Sequence, residues 1–322
     1  AADAACRAWP APRGSAAGQR YQGACGLGAP SAASGRRLEG SNLSALSWDE
    51  AYVKAKETLG KMETEEKYSL MRGVAWDVYN PRQWWYIGNI PGVPRLGVPS
   101  LNMQDASAGF RTIWEDIVGT VTVWPSLLAL AATWDPELAR TYATALGVEF
   151  SGKGANGILG PCVNVHRVAR GGRNFEMMSG EDPYLGSKMA AAYVEGVQSQ
   201  GVFAVVKHWV FNEQETGRTS ESSHVDDKTA WEIYYPPFKA AVDAGAPGVM
   251  CSYNLINGEY SCKNSATLQD LKRRIGFRGF VMSDWGAASA TAVAEGLDQE
   301  MGDGMGGVEH YMPEQLQSVD DA

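Results

Sequence analysis

Histidine, basic charge and long apolar runs are all scarce in this chain. Four His are spread over 322 residues, and neither they nor the five Cys fall at the close spacings that hold zinc, so no metal site is expected. Twenty-eight Lys and Arg stand against 37 Asp and Glu, a net charge of −9. No basic stripe is present to neutralise phosphates, which argues against nucleic acid as a partner. No apolar run approaches the roughly 18 residues that would cross a bilayer. There is no G-x-S-x-G elbow, no P-loop and no G-x-G-x-x-G after a strand. Gly302-Asp-Gly-Met-Gly-Gly307 follows the wrong element and has no Lys, so it reads as a loop.

What the chain does have is a series of apolar runs that end in reactive side chains. Pro99-Ser-Leu-Asn-Met103 leads into Gln104-Asp105, and Gly157-Ile-Leu-Gly-Pro-Cys-Val-Asn-Val165 into His166-Arg167 and then Gly171-Gly-Arg-Asn-Phe-Glu176. Val202–Val206 ends in Lys207-His208-Trp209, Pro247–Cys251 in Ser252-Tyr253-Asn254, and Phe280–Met282 in Ser283-Asp284. Short continuous apolar runs separated by helical sequence are parallel strands buried on both faces. Reactive residues at successive C-terminal strand ends point to a (β/α) barrel of the TIM type, whose site gathers on that face. Asp284 with Trp285 behind it suits carbohydrate chemistry: a carboxylate for an anomeric carbon and an indole for a sugar face. Taken alone, Asp284 reads as well as a helix cap.

Helix signals fall between the strands. Asp135 with Pro136 and Asp182 with Pro183 are N-cap and first-turn pairs, the second helix closing at Gly201. Another helix begins at Asp226-Asp227 and stops at Gly245. Ser47-Trp-Asp-Glu50 has capping-box spacing and opens amphipathic sequence through Met71. Further strands are expected at Thr120–Trp124 and Glu295–Met301. A closed barrel of this type takes about 250 residues. Only 224 remain from Pro99, and 38 follow Asp284, so the barrel is expected to be incomplete at its C-terminal end.

Residues 1–40 are rich in Ala, Gly, Arg and Ser and lack apolar periodicity; they read as a disordered or leader-like extension, with the barrel in 41–322. Cys251 and Cys262 bracket a loop short enough for a disulfide to close, which motivates a secreted or otherwise extracytoplasmic location. Cys162 reads as buried and free. Cys6 and Cys25 fall in the extension, and Asn42-Leu-Ser44 is a lone glycosylation sequon.

Three ordered motifs carry a resemblance: Lys207-His-Trp-Val-Phe-Asn-Glu-Gln-Glu-Thr216, Met250-Cys-Ser-Tyr-Asn254 and Gly279-Phe-Val-Met-Ser-Asp-Trp-Gly286. With Gly172-Arg-Asn-Phe-Glu176, Gly180-Glu-Asp-Pro-Tyr184 and Ser47-Trp-Asp-Glu50, they make residues 45–305 resemble the family 3 glycoside hydrolases, β-glucosidase type. The resemblance implies a barrel domain, no cofactor, and retaining hydrolysis of terminal β-D-glucosyl residues from a β-glucoside or oligosaccharide. It makes Asp284 the nucleophile and assigns Asp105, Arg173, Lys207, His208 and Tyr253 to the first sugar subsite. Arg111, Met250 and Trp285 complete the walls of that subsite, and Glu176 supports them from behind. The alternative reading makes Arg173 and Glu176 a loop brace and His208 a satisfied core side chain.

Two departures stand out. The family has Asp-Gly-Pro where this chain has Asp105-Ala-Ser107. Retaining hydrolysis also needs a second carboxylate about 5–5.5 Å from the nucleophile. The resemblance implies that this group comes from a following α/β domain or partner chain, before which the sequence is truncated. A bacterial branch of the family uses a loop His instead; His224 lies in the matching loop but lacks the Pro-Gly-His approach. The competing function is a non-catalytic carbohydrate-binding or structural subunit derived from such an enzyme.

Overall fold

A computed structural model describes residues 46–74, 86–106, 108–112, 115–302 and 309–320. The expectations for 1–40, for Cys6 and Cys25, for the Asn42 sequon, for Ser107 and for 303–307 lie outside these residues.

Six strands form one sheet: β1 (Gly88–Ile90), β2 (Leu101–Gln104), β3 (Gly157–Ile158), β4 (Phe203–Trp209), β6 (Gly248–Cys251) and β9 (Phe280–Ser283), side by side in that order. β1 is antiparallel to β2, and all the other pairs are parallel. Three short strands, β5 (Ser222–Ser223), β7 (Leu255–Ile256) and β8 (Glu259–Tyr260), make a separate small sheet. The antiparallel β1 has no counterpart in the sequence reading. All five expected runs do enter the sheet, although the one from Gly157 pairs as a ladder for only two residues. Pro161 has no N–H to donate there, and single bridges of Cys162 to Lys207 and Met177 take over.

The sheet is curled as part of a barrel, and its two edges are joined by isolated bridges instead of ladders. Met282 bridges Gln299, and Arg72 bridges Glu300. Gly73 N–H donates to Glu300 at 2.7 Å, and Val74 N–H donates to Asn89 of β1 at 2.9 Å. Glu295–Met301, expected as a strand, lies beside β9 but pairs only through the single bridges of Gln299 and Glu300.

Side chains alternate across the strands and define two cores. Val205, Met250 and Met282 point to the concave side with Ile90, Met103, Leu159 and Met301. Val206, Val249 and Val281 point outward beneath the helices. The outer layer is made by α1 (Trp48–Leu59), α2 (Thr64–Leu70), α3 (Leu127–Ala131), α4 (Pro136–Gly152), α5 (Pro183–Gln198), α6 (Pro236–Asp243), α7 (Ser265–Gln269) and α8 (Pro313–Asp320). Asp135 and Asp182 cap α4 and α5, accepting backbone N–H groups of the first turn, and Pro follows each. The capping box at Ser47 forms with Glu50.

The amphipathic sequence from Ser47 to Met71 forms two helices, α1 and α2. One expectation needs correction. The segment Thr120–Trp124 is not a strand. Glu149 of α4 draws it into a loop instead, accepting from Thr122 N–H at 2.8 Å and from the Trp124 indole at 3.1 Å. The helix expected from Asp226 widens to π geometry at Ala230–Tyr234 before α6. Pro236 and Pro237 offer no N–H, and Tyr235 N–H reaches back five residues to Ala230 at 2.9 Å.

Candidate active site

At the C-terminal ends of β2, β4, β6 and β9 the expected residues converge. Asp284 follows the last residue of β9 and is buried. Its Oδ1 accepts from its neighbour's backbone, Trp285 N–H, at 2.9 Å and lies 2.9 Å from the Tyr253 hydroxyl. Its Oδ2 lies 3.5 Å from His208 Nε2. Burial raises the Asp284 pKa above the usual carboxylate range; the cations Lys207 and Arg173 oppose this, as do the bonds from Tyr253 and Trp285. Those four partners favour the ionised form at a place where desolvation disfavours it.

Lys207 projects from β4 on the concave side, one step beyond Val205. Its Nζ is 3.5 Å from Asp105 Oδ1 and 3.9 Å from Glu176 Oε2. Burial alone would lower the Lys207 pKa, but the two carboxylates outweigh it and the ammonium persists. Asp105, just past β2, accepts from Arg111 Nη1 at 3.0 Å on its other oxygen. A tight turn holds it there: Ala106 and Gly109 exchange backbone hydrogen bonds, and Arg111 N–H donates to Asp105 C=O. Arg173 binds Glu176 through Nε, and its Nη1 is 3.8 Å from Glu215.

β4 is bulged between Lys207 and Trp209, which lets consecutive residues Lys207 and His208 both serve the site. His208 is buried; desolvation, with Arg173, Lys207 and Arg218 nearby, pushes its pKa well below the usual range. The imidazole is therefore neutral, and its approach to Asp284 is a polar contact, not an ion pair. Tyr253 sits beyond β6, and the Cys251–Cys262 disulfide anchors the loop that carries it. Burial raises the Tyr253 phenol strongly, with Asp284 acting in the same direction.

Other expectations resolve differently. Met250 is fully buried in the concave core, so it underlies the site instead of lining it. Trp285 is half-buried against that same core. His224 is exposed beside Glu221, and the groups acting most strongly on Asp284 include neither of them and no other carboxylate. Cys162 is buried and free, its Sγ 3.8 Å from His208 Nδ1. Among the described residues no cluster could hold a metal ion, and no helix is long and apolar enough to cross a membrane.

Four residues join the site that the sequence reading passed over. The Arg218 guanidinium stacks 4.1 Å from the centre of the Tyr253 ring, and its Nη1 pairs with Glu215 at 3.0 Å. Asn164 and Glu213 sit behind His208, with Asn164 Nδ2 donating to Glu213 Oε1 at 3.2 Å. Glu213, Glu215 and Arg218 lie in or just beyond the quoted run from Lys207. A cluster of charge after a buried strand was the signal that could have marked them.

A buried carboxylate at a strand end, served by a phenol, two cations and a neutral imidazole, is a polar site of the kind that glycoside-processing proteins use. Residues 92–316 match the glycosyl hydrolase family 3 N-terminal domain, and the chain belongs to that family. It is 42% identical over 271 residues to a probable beta-glucosidase M from Aspergillus fumigatus, covering 79% of this chain and 33% of that protein. A beta-glucosidase from Rhizobium radiobacter is 45% identical over 249 residues, 76% of this chain and 29% of its own length. Among solved structures, the beta-glucosidase DesR from Streptomyces venezuelae, in complex with D-glucose, superposes with a TM-score of 0.76 at 36% identity. That match covers 83% of this chain and 35% of DesR. The beta-D-glucoside glucohydrolase from Trichoderma reesei gives 0.77 at 35% identity, over 86% of this chain and 38% of that one. The chain thus spans about a third of the length of the curated relatives it matches.

Proposed function

We propose that this chain forms the nucleophile-bearing part of a retaining β-glucosidase, acting on terminal non-reducing β-D-glucosyl residues. The observation that carries the reading is the seat of Asp284: buried, yet held toward its ionised form by Tyr253, Trp285 N–H, Lys207 and Arg173. The curled sheet is read as part of a TIM-type (β/α) barrel with these groups at its C-terminal face. Asp284 would attack the anomeric carbon while Asp105, Arg111, Arg173, Lys207 and His208 hold the ring hydroxyls. Trp285 offers its indole to the ring face, and Glu176 keeps Arg173 and Lys207 in place.

Completing the reaction requires a general acid/base about 5–5.5 Å from Asp284. Because the relatives are about three times as long as the matched region, we assign that group to a further α/β domain or partner chain. The disulfide supports an oxidising, extracytoplasmic setting.

A dinitrophenyl β-glucoside needs no acid to expel its leaving group, so this chain should release dinitrophenol and stall as a covalent adduct. Azide should then turn the adduct over to β-glucosyl azide, whose anomeric configuration is read by NMR. Release with retained configuration supports the reading. Glucose binding with no dinitrophenol release would instead favour a carbohydrate-binding subunit, and α-configured azide would rule out double displacement.

A further inference from the structure

We infer that Glu213 is a positioning residue for this site, acting through Asn164 on the backbone of His208. The inference rests on the reading of Asp284 as nucleophile, and it deepens that reading. The chain running beside β4 stops forming ordinary ladder bonds after Val163, whose N–H donates to Lys207 C=O at 3.0 Å. From there the Asn164 carboxamide takes the place of a peptide group. Its Oδ1 accepts from His208 N–H at 2.8 Å, and its Nδ2 donates to His208 C=O at 3.1 Å. The second proton on Nδ2 goes to Glu213 Oε1 at 3.2 Å, and Oδ1 also lies 3.5 Å from the Cys162 thiol.

An amide can rotate half a turn and exchange its oxygen and nitrogen at little steric cost. Here the His208 peptide already sets which way the amide faces, its N–H meeting Oδ1 and its C=O meeting Nδ2, and the Glu213 oxygen takes the one Nδ2 proton left over. Glu213 thereby holds the Asn164 carboxamide in its seat, and Asn164 fixes both polar groups of the His208 peptide. His208 Nε2 is 3.5 Å from Asp284, and Lys207 is the preceding residue, so two groups of the site hang on this clamp. Glu213 is 8% exposed and its Oε2 has no hydrogen-bond partner among the described residues. A buried acid this poorly satisfied is costly to keep unless its position matters.

Burial raises the Glu213 pKa to about 8, Asn164 opposing and Glu221 adding to the shift. Tyr234 also faces it, with Arg167 beyond, and His224 lies beside Glu221. The neutral acid is the form held at neutral pH, and Gln reproduces its shape and its acceptor oxygen. Exchange at the His208 amide requires an opening that admits water to Glu213 and returns it to its ordinary value, so resistance to that opening is greatest below about pH 4.5. It weakens as pH rises to about 8 and then levels off.

The test uses the full chain with Glu213→Gln and Glu213→Leu, both checked for folding by thermal melting. Two quantities are read: hydrogen–deuterium protection of the peptide containing His208, and the rate of inactivation by a 2-deoxy-2-fluoro-β-glucoside. Glu213→Leu should lose about tenfold or more in both, and Glu213→Gln should stay within about twofold of the parent chain. Between about pH 5 and about pH 8 the protection should decline in the parent chain and stay flat in Glu213→Gln. That comparison stands even if Glu213→Leu does not fold. Equal behaviour of Leu and Gln, or a pH decline that survives in Glu213→Gln, overturns the inference. If the parent chain is not inactivated at all, the nucleophile reading fails, while the protection data still decide whether the clamp exists.

Discussion

The Tyr253 hydroxyl lies 2.9 Å from Asp284 Oδ1 and 2.8 Å from the Trp285 backbone carbonyl, with one proton to serve both. The ionised carboxylate is the stronger acceptor, so the proton goes to Asp284 while it carries charge. Once Asp284 has been neutralised, whether by a proton or by an ester bond, the carbonyl can take the bond over. Tyr253 is thus placed to favour the charged form of Asp284 without being stranded when that charge is lost.

Tyr253→Phe should therefore raise the pKa of Asp284, because the bond removed stabilises the ionised form. The acid limb of the inactivation profile should move to higher pH. At neutral pH the rate should fall by about 10- to 100-fold, as expected for losing a bond to a charged group. Inactivation rates measured from acid to neutral pH check this, and an unmoved limb would contradict it.

Arg173 places Nε on Glu176 and reaches toward Glu215 with Nη1, a planar fork that an ammonium does not reproduce. Arg173→Lys should fold but weaken glucose binding by about tenfold or more, because Glu176 and Glu215 lose their common partner. Titration calorimetry of the two proteins with glucose makes the comparison.

The Cys251–Cys262 bond closes a loop of sequence separation 11. Replacing both cysteines by Ala should cost about 3 kcal/mol in the chain-entropy description. A melting temperature lower by roughly 5–10 °C is then expected. Both sulfurs are buried, so in the folded protein they should resist alkylation under mild reduction.

Much of the site was legible because its residues sit where strands end. Asp105, Lys207, Tyr253 and Asp284 each follow an apolar run whose burial is written in the sequence, and parallel pairing brings such ends together. The α4 and α5 caps were legible for a similarly local reason: Asp-Pro states both the cap and the first turn. The misread segment, Thr120–Trp124, has β-branched composition, but its fate is decided by Glu149, a residue about one element away. Likewise Arg218 reaches Tyr253, and Glu213 reaches Asn164, only through the irregular chain between β4 and β5. No periodicity records such contacts. β1 is three residues long and includes Gly88 and Asn89, too little apolar pattern to announce a strand.

The most direct test of the role of Asp284 is the identity of the residue that a 2-deoxy-2-fluoro-β-glucosyl reagent labels. After digestion, tandem mass spectrometry should find the fluoroglucosyl ester on Asp284, within Gly279–Gly286, and Asp284→Asn should fold normally and remain unlabelled. An ester on Asp105, Glu176 or Glu213, or labelling that persists in Asp284→Asn, would contradict the assignment.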